Sequence, residues 1–369
     1  MSATGSGYSP GLKGVIAGET SLAMIDGAQG RLLYRGYPIG ELVEHGTYAQ
    51  VAELLWTGEW AAQSDGVQLA CAPLPAEVVG TLRELPPQTN PMDALRTGLS
   101  AWGATTGFAW PPSAEQARQV TAVAPSVLAA FARLRDGLDP VEPDPSLTLP
   151  AGFLYQLSAA RPNAVEARAL EAYFVVCAEH GFNASTFTAR VITSTHSDLV
   201  SAVVGAIGAL KGPWHGGAPS EVVNQLHQMG SPAEAEAWIR AALASGERLM
   251  GFGHRVYRAY DPRAAALRKV AEGLASVAGW LEKAIAVEEI ALRLLAEHKP
   301  DYPIKTNVEY YAAAVLQGVG LPPNLFPATF ALARHAGWTG HTLEQATANV
   351  LIRPDVRYVG PAERHLADG

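Results

Sequence analysis

The sequence predicts a mainly α-helical protein with one small β element near its N-terminus. Three observations carry that prediction. Apolar residues recur at helical spacing in one segment after another from Ile39 onward. Only one convincing strand pair is present: Thr20–Asp26 and Arg31–Tyr34 flank Gly27-Ala-Gln-Gly30, a turn signal. No fixed-period repeat runs through the chain, which argues against an α-solenoid.

Taken in order, the hairpin is followed by Thr47-Tyr-Ala-Gln50, a capping-box pattern ahead of the apolar face Val51, Leu54 and Leu55. Pro91, Leu95, Leu99 and Trp102 predict a helix over 91–104, with proline at its start. Further helices are predicted over 120–135 and 164–179, the latter after Pro162-Asn163. The proline-rich stretch 139–145 cannot hold a regular helix and reads as a surface loop. The apolar run 199–210 reads as a buried helix, stopped by Gly212-Pro213. Ser231 caps a helix over 232–247, and helices are expected at 263–274, 276–297, 308–318, 326–337 and 342–350.

At 369 residues the chain can bury a large core, and its length suggests about two domains. A hydrophobic content of 48% against 17% charged residues fits a compact globular protein rather than a disordered one. A net charge of −8 argues against a general nucleic-acid binder but permits a locally basic pocket. Cys71 and Cys177, each in an apolar context, read as buried thiols, so a reducing, cytoplasmic setting is expected. The start of the chain lacks an apolar signal core, and the run 199–210 falls far short of the ~20 residues of a membrane span. Dinucleotide and phosphate-loop fingerprints are absent, as are the histidine and cysteine spacings of a catalytic zinc, so no metal is expected.

The chemistry concentrates in a few segments. Lys211-Gly-Pro-Trp-His-Gly-Gly217 sets a titratable ring at the mouth of the apolar helix, where glycine lets the backbone approach whatever the imidazole touches. Gly251-Phe-Gly-His254 repeats the arrangement, with Arg255, Arg258 and Arg263 behind it. Two glycine-flanked histidines and an arginine cluster suit an anionic substrate. Glu179–Thr186, Lys305–Tyr311 and Arg334–Trp338 with Arg353-Pro354 complete the set. Singly, each has a plain explanation: His180 as a satisfied core histidine, Glu309 as a helix-start acid suited to the dipole, Arg334 as a surface charge.

Together these segments resemble the citrate synthases of bacteria. The matching stretches, in order, are Gly11–Thr20, Gly30–Tyr37, Asn90–Arg96, His180–Thr186, Leu210–Gly217, Gly251–Arg258 with Asp261-Pro-Arg263, Ala336–Trp338, and Arg353-Pro354 with Arg357–Gly360. The resemblance implies a two-domain helical fold: residues 1–215 and 316–369 as a large domain, and 216–315 as a small domain that closes over the substrates. It implies an acyltransferase that condenses acetyl-CoA with oxaloacetate, with coenzyme A thioester as co-substrate and no permanently bound cofactor. Glu309 occupies the place of the base, His215 that of the enol stabiliser, and His254 that of the group that polarises oxaloacetate. Arg263, Arg334, His180 and Asn183 match oxaloacetate contacts, and Arg353 matches an arginine that reaches in from the second subunit of a homodimer. Leu249, Met250, Gly251, Phe252, Gly253, Arg255 and Arg258 match the coenzyme A loop, to which Lys305 and Asn307 are added by position.

One departure stands out. Most members of the family carry aspartate in an N-V-D pattern, whereas this chain has Asn307-Val308-Glu309, and Thr306 replaces the usual proline. Glutamate adds a methylene, and a misplacement of about 1 Å can cost roughly 100-fold in rate. The other catalytic positions are intact, so an active enzyme is expected rather than a degraded paralogue that only binds CoA or a dicarboxylate. The nearest alternative activity is 2-methylcitrate synthesis from propionyl-CoA, one methylene away and separable by only about 1–3 kcal/mol.

Overall fold

The computed structural model describes residues 8–62, 67–215, 218–254, 256–274 and 278–364. Strands β1 (Ala23–Asp26) and β2 (Arg31–Tyr34) pair antiparallel with Ala23 opposite Tyr34 and Asp26 opposite Arg31, as the turn signal predicts. Asp26 Oδ1 accepts from the backbone N–H groups of Ala28 and Gln29, closing the turn. A two-residue strand, β3 (Tyr37–Pro38), extends the sheet and is too short to leave a periodic signal.

The remainder is helical: α1 (Ile39–His45), α2 (Tyr48–Thr57), α3 (Ala76–Arg83), α4 (Pro91–Thr106), α5 (Ala114–Arg135), α6 (Leu149–Ser158), α7 (Ala164–Cys177), α8 (Ala184–Ser194), α9 (Leu199–Leu210), α10 (Ala218–Gln228), α11 (Pro232–Ser245), α12 (Pro262–Ala271), α13 (Ala278–His298), α14 (Val308–Gly318) and α15 (Phe326–Thr347). The capping box at Thr47 forms with Gln50, and a second one, Ser113 with Gln116, starts α5 six residues before the apolar pattern does. Helices α3, α6, α8 and α10 are not among the predicted helices, although α3, α8 and α10 are amphipathic. The pair of helices expected at 326–337 and 342–350 is instead the single helix α15. His335, Thr339 and Thr342 interrupt its apolar pattern; the two hydroxyls are satisfied within the helix, whereas His335 Nε2 is buried without a partner among the described residues. The Thr339 and Thr342 hydroxyls donate to the carbonyls one turn back, at 2.7 and 3.0 Å, and His335 Nδ1 lies 2.7 Å from the Ala331 carbonyl.

Helix α15 is the spine of the core: it packs on α2, α5, α7, α8 and α9. Its closest approach is at Gly337, where an added Cβ would lie 2.3 Å from the Ala178 carbonyl oxygen. That approach brings α15 against the segment carrying His180. Helices α10 to α14 pack chiefly on one another, through α12 with α14, α11 with α13 and α10 with α14. They reach the remaining helices through α1, α7 and α15. Cys71 and Cys177 are buried free thiols, as expected. Among the described residues no helix is long and apolar enough to cross a membrane.

Candidate active site

The loop after α11 is bonded to the strand-like stretch before α14. Gly253 N–H donates to the Lys305 carbonyl at 2.8 Å and Asn307 N–H to the Gly251 carbonyl at 2.9 Å. Asn307 Nδ2 adds a bond to the Gly253 carbonyl at 2.8 Å. Gly251 sits at φ +82°, where a Cβ would also strike the Tyr310 ring at 2.7 Å, so only glycine fits. This clamp sets His254 and Glu309 on adjoining segments. Leu249, Phe252 and Asn307 are buried within it, whereas Lys305 is exposed.

His254 Nδ1 accepts two backbone N–H groups, from Val256 at 3.0 Å and Tyr257 at 3.1 Å. The two backbone bonds on Nδ1 outweigh the single longer approach of the Arg263 Nη2 donor to Nε2, at 3.4 Å, and assign the proton of the neutral ring to Nε2. Burial first, then the Arg263 charge, holds its pKa down to about 4, so the ring is neutral at neutral pH and its N–H is a donor. Arg263 is 3% exposed and is held by Asp261 through Nε at 3.0 Å and Nη2 at 2.8 Å. The other Asp261 duties are to cap α12 and to accept the Val308 N–H at 3.2 Å, which couples Arg263 to the start of α14.

Glu309 follows at the second position of α14, its backbone N–H capped by Asn307 Oδ1 at 3.0 Å. Burial raises its pKa to about 7, against the opposing charges of Arg248 and Arg263. A carboxylate poised near neutrality suits a general base.

On the α8 side, Asn183 caps the helix by accepting the Thr186 N–H at 3.0 Å. Ser185 then meets His215: the Ser185 backbone N–H donates to His215 Nε2 at 3.2 Å, with the Ser185 hydroxyl 2.9 Å away. Nε2 is thus an acceptor and the neutral ring carries its proton on Nδ1. Burial, assisted by the Arg334 charge, lowers its pKa to about 4. Both imidazoles are consequently neutral donors with assigned tautomers.

His180 links the two halves. Its ring lies 5.3 Å from that of His254, edge to face, and its Nε2 is 3.3 Å from the Tyr257 hydroxyl. Burial, then Arg263, Arg334 and His254, pushes its pKa well below the usual imidazole range. Arg334 is no surface charge. It is 1% exposed, donates from Nε to the Cys177 carbonyl at 2.6 Å, and packs its guanidinium over Phe330. Two buried guanidiniums and three neutral imidazoles thus neighbour one another, a donor set for a dianion.

Not every predicted residue joins this cluster. Arg353 lies exposed on the extended segment after α15, and no hydrogen bond or ion pair among the described residues involves it. Met250 is half-buried, its N–H donating to Gln225 Oε1 at 2.8 Å. Arg258 is exposed, with its guanidinium over the Tyr302 ring at 4.6 Å. Arg255, Gly216 and Gly217 lie outside the described residues. Ser185, Asp261, Tyr257 and Arg248 were not predicted from the sequence. Asp261 alone left a signal there, as an Asp-Pro pair opening a helix beside an arginine. Among the described residues no group of three or more metal-binding side chains is assembled.

Residues 11–355 match the family model described as citrate synthase, C-terminal domain. The chain is 43% identical to a citrate synthase of Haloferax volcanii, over 95% of each sequence. It is 37% identical to a 2-methylcitrate synthase of Mycobacterium tuberculosis, over 96% of this chain and 91% of that one. Its structure superposes on a citrate synthase of Thermoplasma acidophilum in ternary complex with carboxymethyl coenzyme A and oxaloacetate. The TM-score is 0.88 at 30% identity, with 98% of this chain and 99% of the other covered.

Proposed function

The chain belongs to the citrate synthase family, and we propose that it condenses acetyl-CoA with oxaloacetate to citrate at the cluster described above. The Glu309 carboxylate takes a proton from the thioester methyl. His215 Nδ1–H donates to the thioester oxygen as the enol forms, lowering the cost of the developing charge. The enol carbon attacks the oxaloacetate ketone, and His254 Nε2–H gives its proton to the new alkoxide. Water then cleaves the thioester and coenzyme A leaves. Arg263 and Arg334 grip the dicarboxylate, with His180 and Asn183 beside them.

The observation that supports this reading best is the pair of tautomers. Backbone N–H groups saturate Nε2 of His215 and Nδ1 of His254, so each neutral ring has one N–H left, on the opposite nitrogen. Two preset donors and a base near pKa 7 are what enolisation beside a carbonyl acceptor requires.

Arg353 completes the oxaloacetate site from a second subunit. The segment after α15 supports this, because Val350, Val356, Tyr358 and Val359 stand exposed along an extended chain and offer an apolar strip to a partner. The packing of α10–α14 on one another supports a small domain over 216–315 that closes on the rest and excludes water during enolisation. The exposed Arg258 and Lys305, beside the clamped 249–253 loop, suit the phosphates of coenzyme A, and Arg255 joins them by resemblance.

Steady-state release of CoA thiol, measured with acetyl-CoA and propionyl-CoA against oxaloacetate, tests the reading. We expect higher kcat/KM with acetyl-CoA. A preference for propionyl-CoA makes the protein a 2-methylcitrate synthase, and tight CoA binding without turnover of either thioester removes the catalytic reading.

A further inference from the structure

Glu288, on α13, lies outside the cluster that the mechanism uses and is 2% exposed. Its carboxylate collects four donors from four segments. Oε1 accepts the Tyr260 hydroxyl at 2.9 Å and the Thr306 hydroxyl. Oε2 accepts the Tyr311 hydroxyl at 2.5 Å and is 3.4 Å from Arg268 Nη1. Thr306 lies three residues before Glu309 and Tyr311 two residues after it. Tyr260 immediately precedes Asp261, which holds Arg263 and the Val308 N–H. One buried acid is therefore bonded on both sides of the base and to the loop that carries the arginine.

We propose that Glu288 and Thr306 are positioning residues for the reaction: the Thr306 hydroxyl, bonded to the Glu288 carboxylate, fixes the register of 305–309 and so the point that the Glu309 carboxylate reaches. This rests on Glu309 being the base, as argued above. The physical reason is directional. A buried carboxylate keeps donors at hydrogen-bond distance because an unpaired charged oxygen in the interior is costly. Thr306 is itself 1% exposed, so its hydroxyl has no water to turn to. The neighbouring backbone bonds, Gly253 N–H to Lys305 and Asn307 N–H to Gly251, hold the segment edgewise. The Thr306 side chain ties it to α13 in the remaining direction. A loop held in both directions presents a base at one place, and loss of about 1 Å of placement costs roughly 100-fold.

The test separates the hydroxyl from the shape of the side chain, in the full-length protein. Thr306→Val keeps the shape and removes the donor, whereas Thr306→Ser keeps the donor and removes a methyl group. We expect Thr306→Val to lower kcat by at least about 30-fold, within the range that small misplacement produces, with KM for oxaloacetate changed less than about twofold. Thr306→Ser is expected to restore kcat to within about threefold of the parent. Tyr311→Phe, which removes another donor from the same carboxylate, should show the same split between kcat and KM. A role in packing alone predicts the reverse order, Val tolerated and Ser damaging. Parental kcat in Thr306→Val, a Ser variant as slow as Val, or parental kcat in Tyr311→Phe overturns the proposal. If the parent releases no CoA from either thioester, the reading of Glu309 as base fails first and this inference falls with it.

Discussion

The acid limb of the rate profile follows from the burial of Glu309. With its pKa raised to about 7, half of the enzyme carries the ionised base at pH 7 and about 1% at pH 5. The value of kcat/KM for acetyl-CoA should therefore fall about 50-fold between pH 7 and pH 5. A carboxylate at its ordinary value of 4.5 would lose only about 1.3-fold over the same interval. His215 and His254 do not add to this limb, because both are held down to about 4 and stay neutral through it. The assay is CoA thiol release at saturating oxaloacetate, with acetyl-CoA varied at each pH. Glu309→Gln is the control: it should bind substrates but lose about 10²–10⁴ in turnover, and its residual rate should lack the limb. A profile flat from pH 5 to 8 would refute the raised pKa of Glu309, and a Glu309→Gln variant with the parental rate would refute the assignment of this side chain as the base.

Three further outcomes are expected. Arg334→Ala and Arg353→Ala should each weaken oxaloacetate binding, and mixing the two should restore activity. In an equal mixture half the dimers are mixed and half of their sites are intact, so about one quarter of parental activity returns, and no recovery counts against shared sites. Asp261→Ala leaves buried Arg263 without its partner and should cost about 3–5 kcal/mol in urea unfolding; a cost under 1 kcal/mol would show that Asp261 does not stabilise that charge. Acid should destabilise the fold in two steps. The half-buried imidazoles of His215 and His254 and the buried one of His335 have folded values near 4, below the 6.5 of the unfolded chain, so stability falls as pH drops from about 6.5 to 4. Glu344 is held at about 2: burial opposes this, but Ser21 and Arg190 outweigh it. Its contribution is therefore present above 4.5 and lost as pH falls toward 2. Thermal melting of Glu344→Gln should show a lower Tm at pH 7 and a smaller acid decline than the parent; an unchanged Tm at pH 7 would rule out that contribution.

Legibility in the sequence followed the range of the interactions involved. The Thr47 capping box and the Gly27–Gly30 turn were readable because each is closed by residues at most three positions apart. The histidine loops were readable because glycine and proline mark backbone that ordinary residues cannot follow. Two helices, 326–337 and 342–350, are expected where one runs from Phe326 to Thr347, and buried hydroxyls within it bond back to their own helix. The Ser185–His215 contact spans 30 positions, and Glu179–His341 spans 162, so neither leaves a local pattern.

The sequence by itself determined the helical class, the hairpin and the side chains able to do the chemistry, because periodicity, turn residues and functional groups are properties of neighbouring positions. Only the tertiary structure decided their protonation. Which ring nitrogen of His215 and His254 is a donor depends on backbone N–H groups that folding brings to the other nitrogen. That Glu309 titrates near neutrality, and that Arg334 is an interior charge rather than a surface one, follow from burial, which is set by the packing of the whole chain.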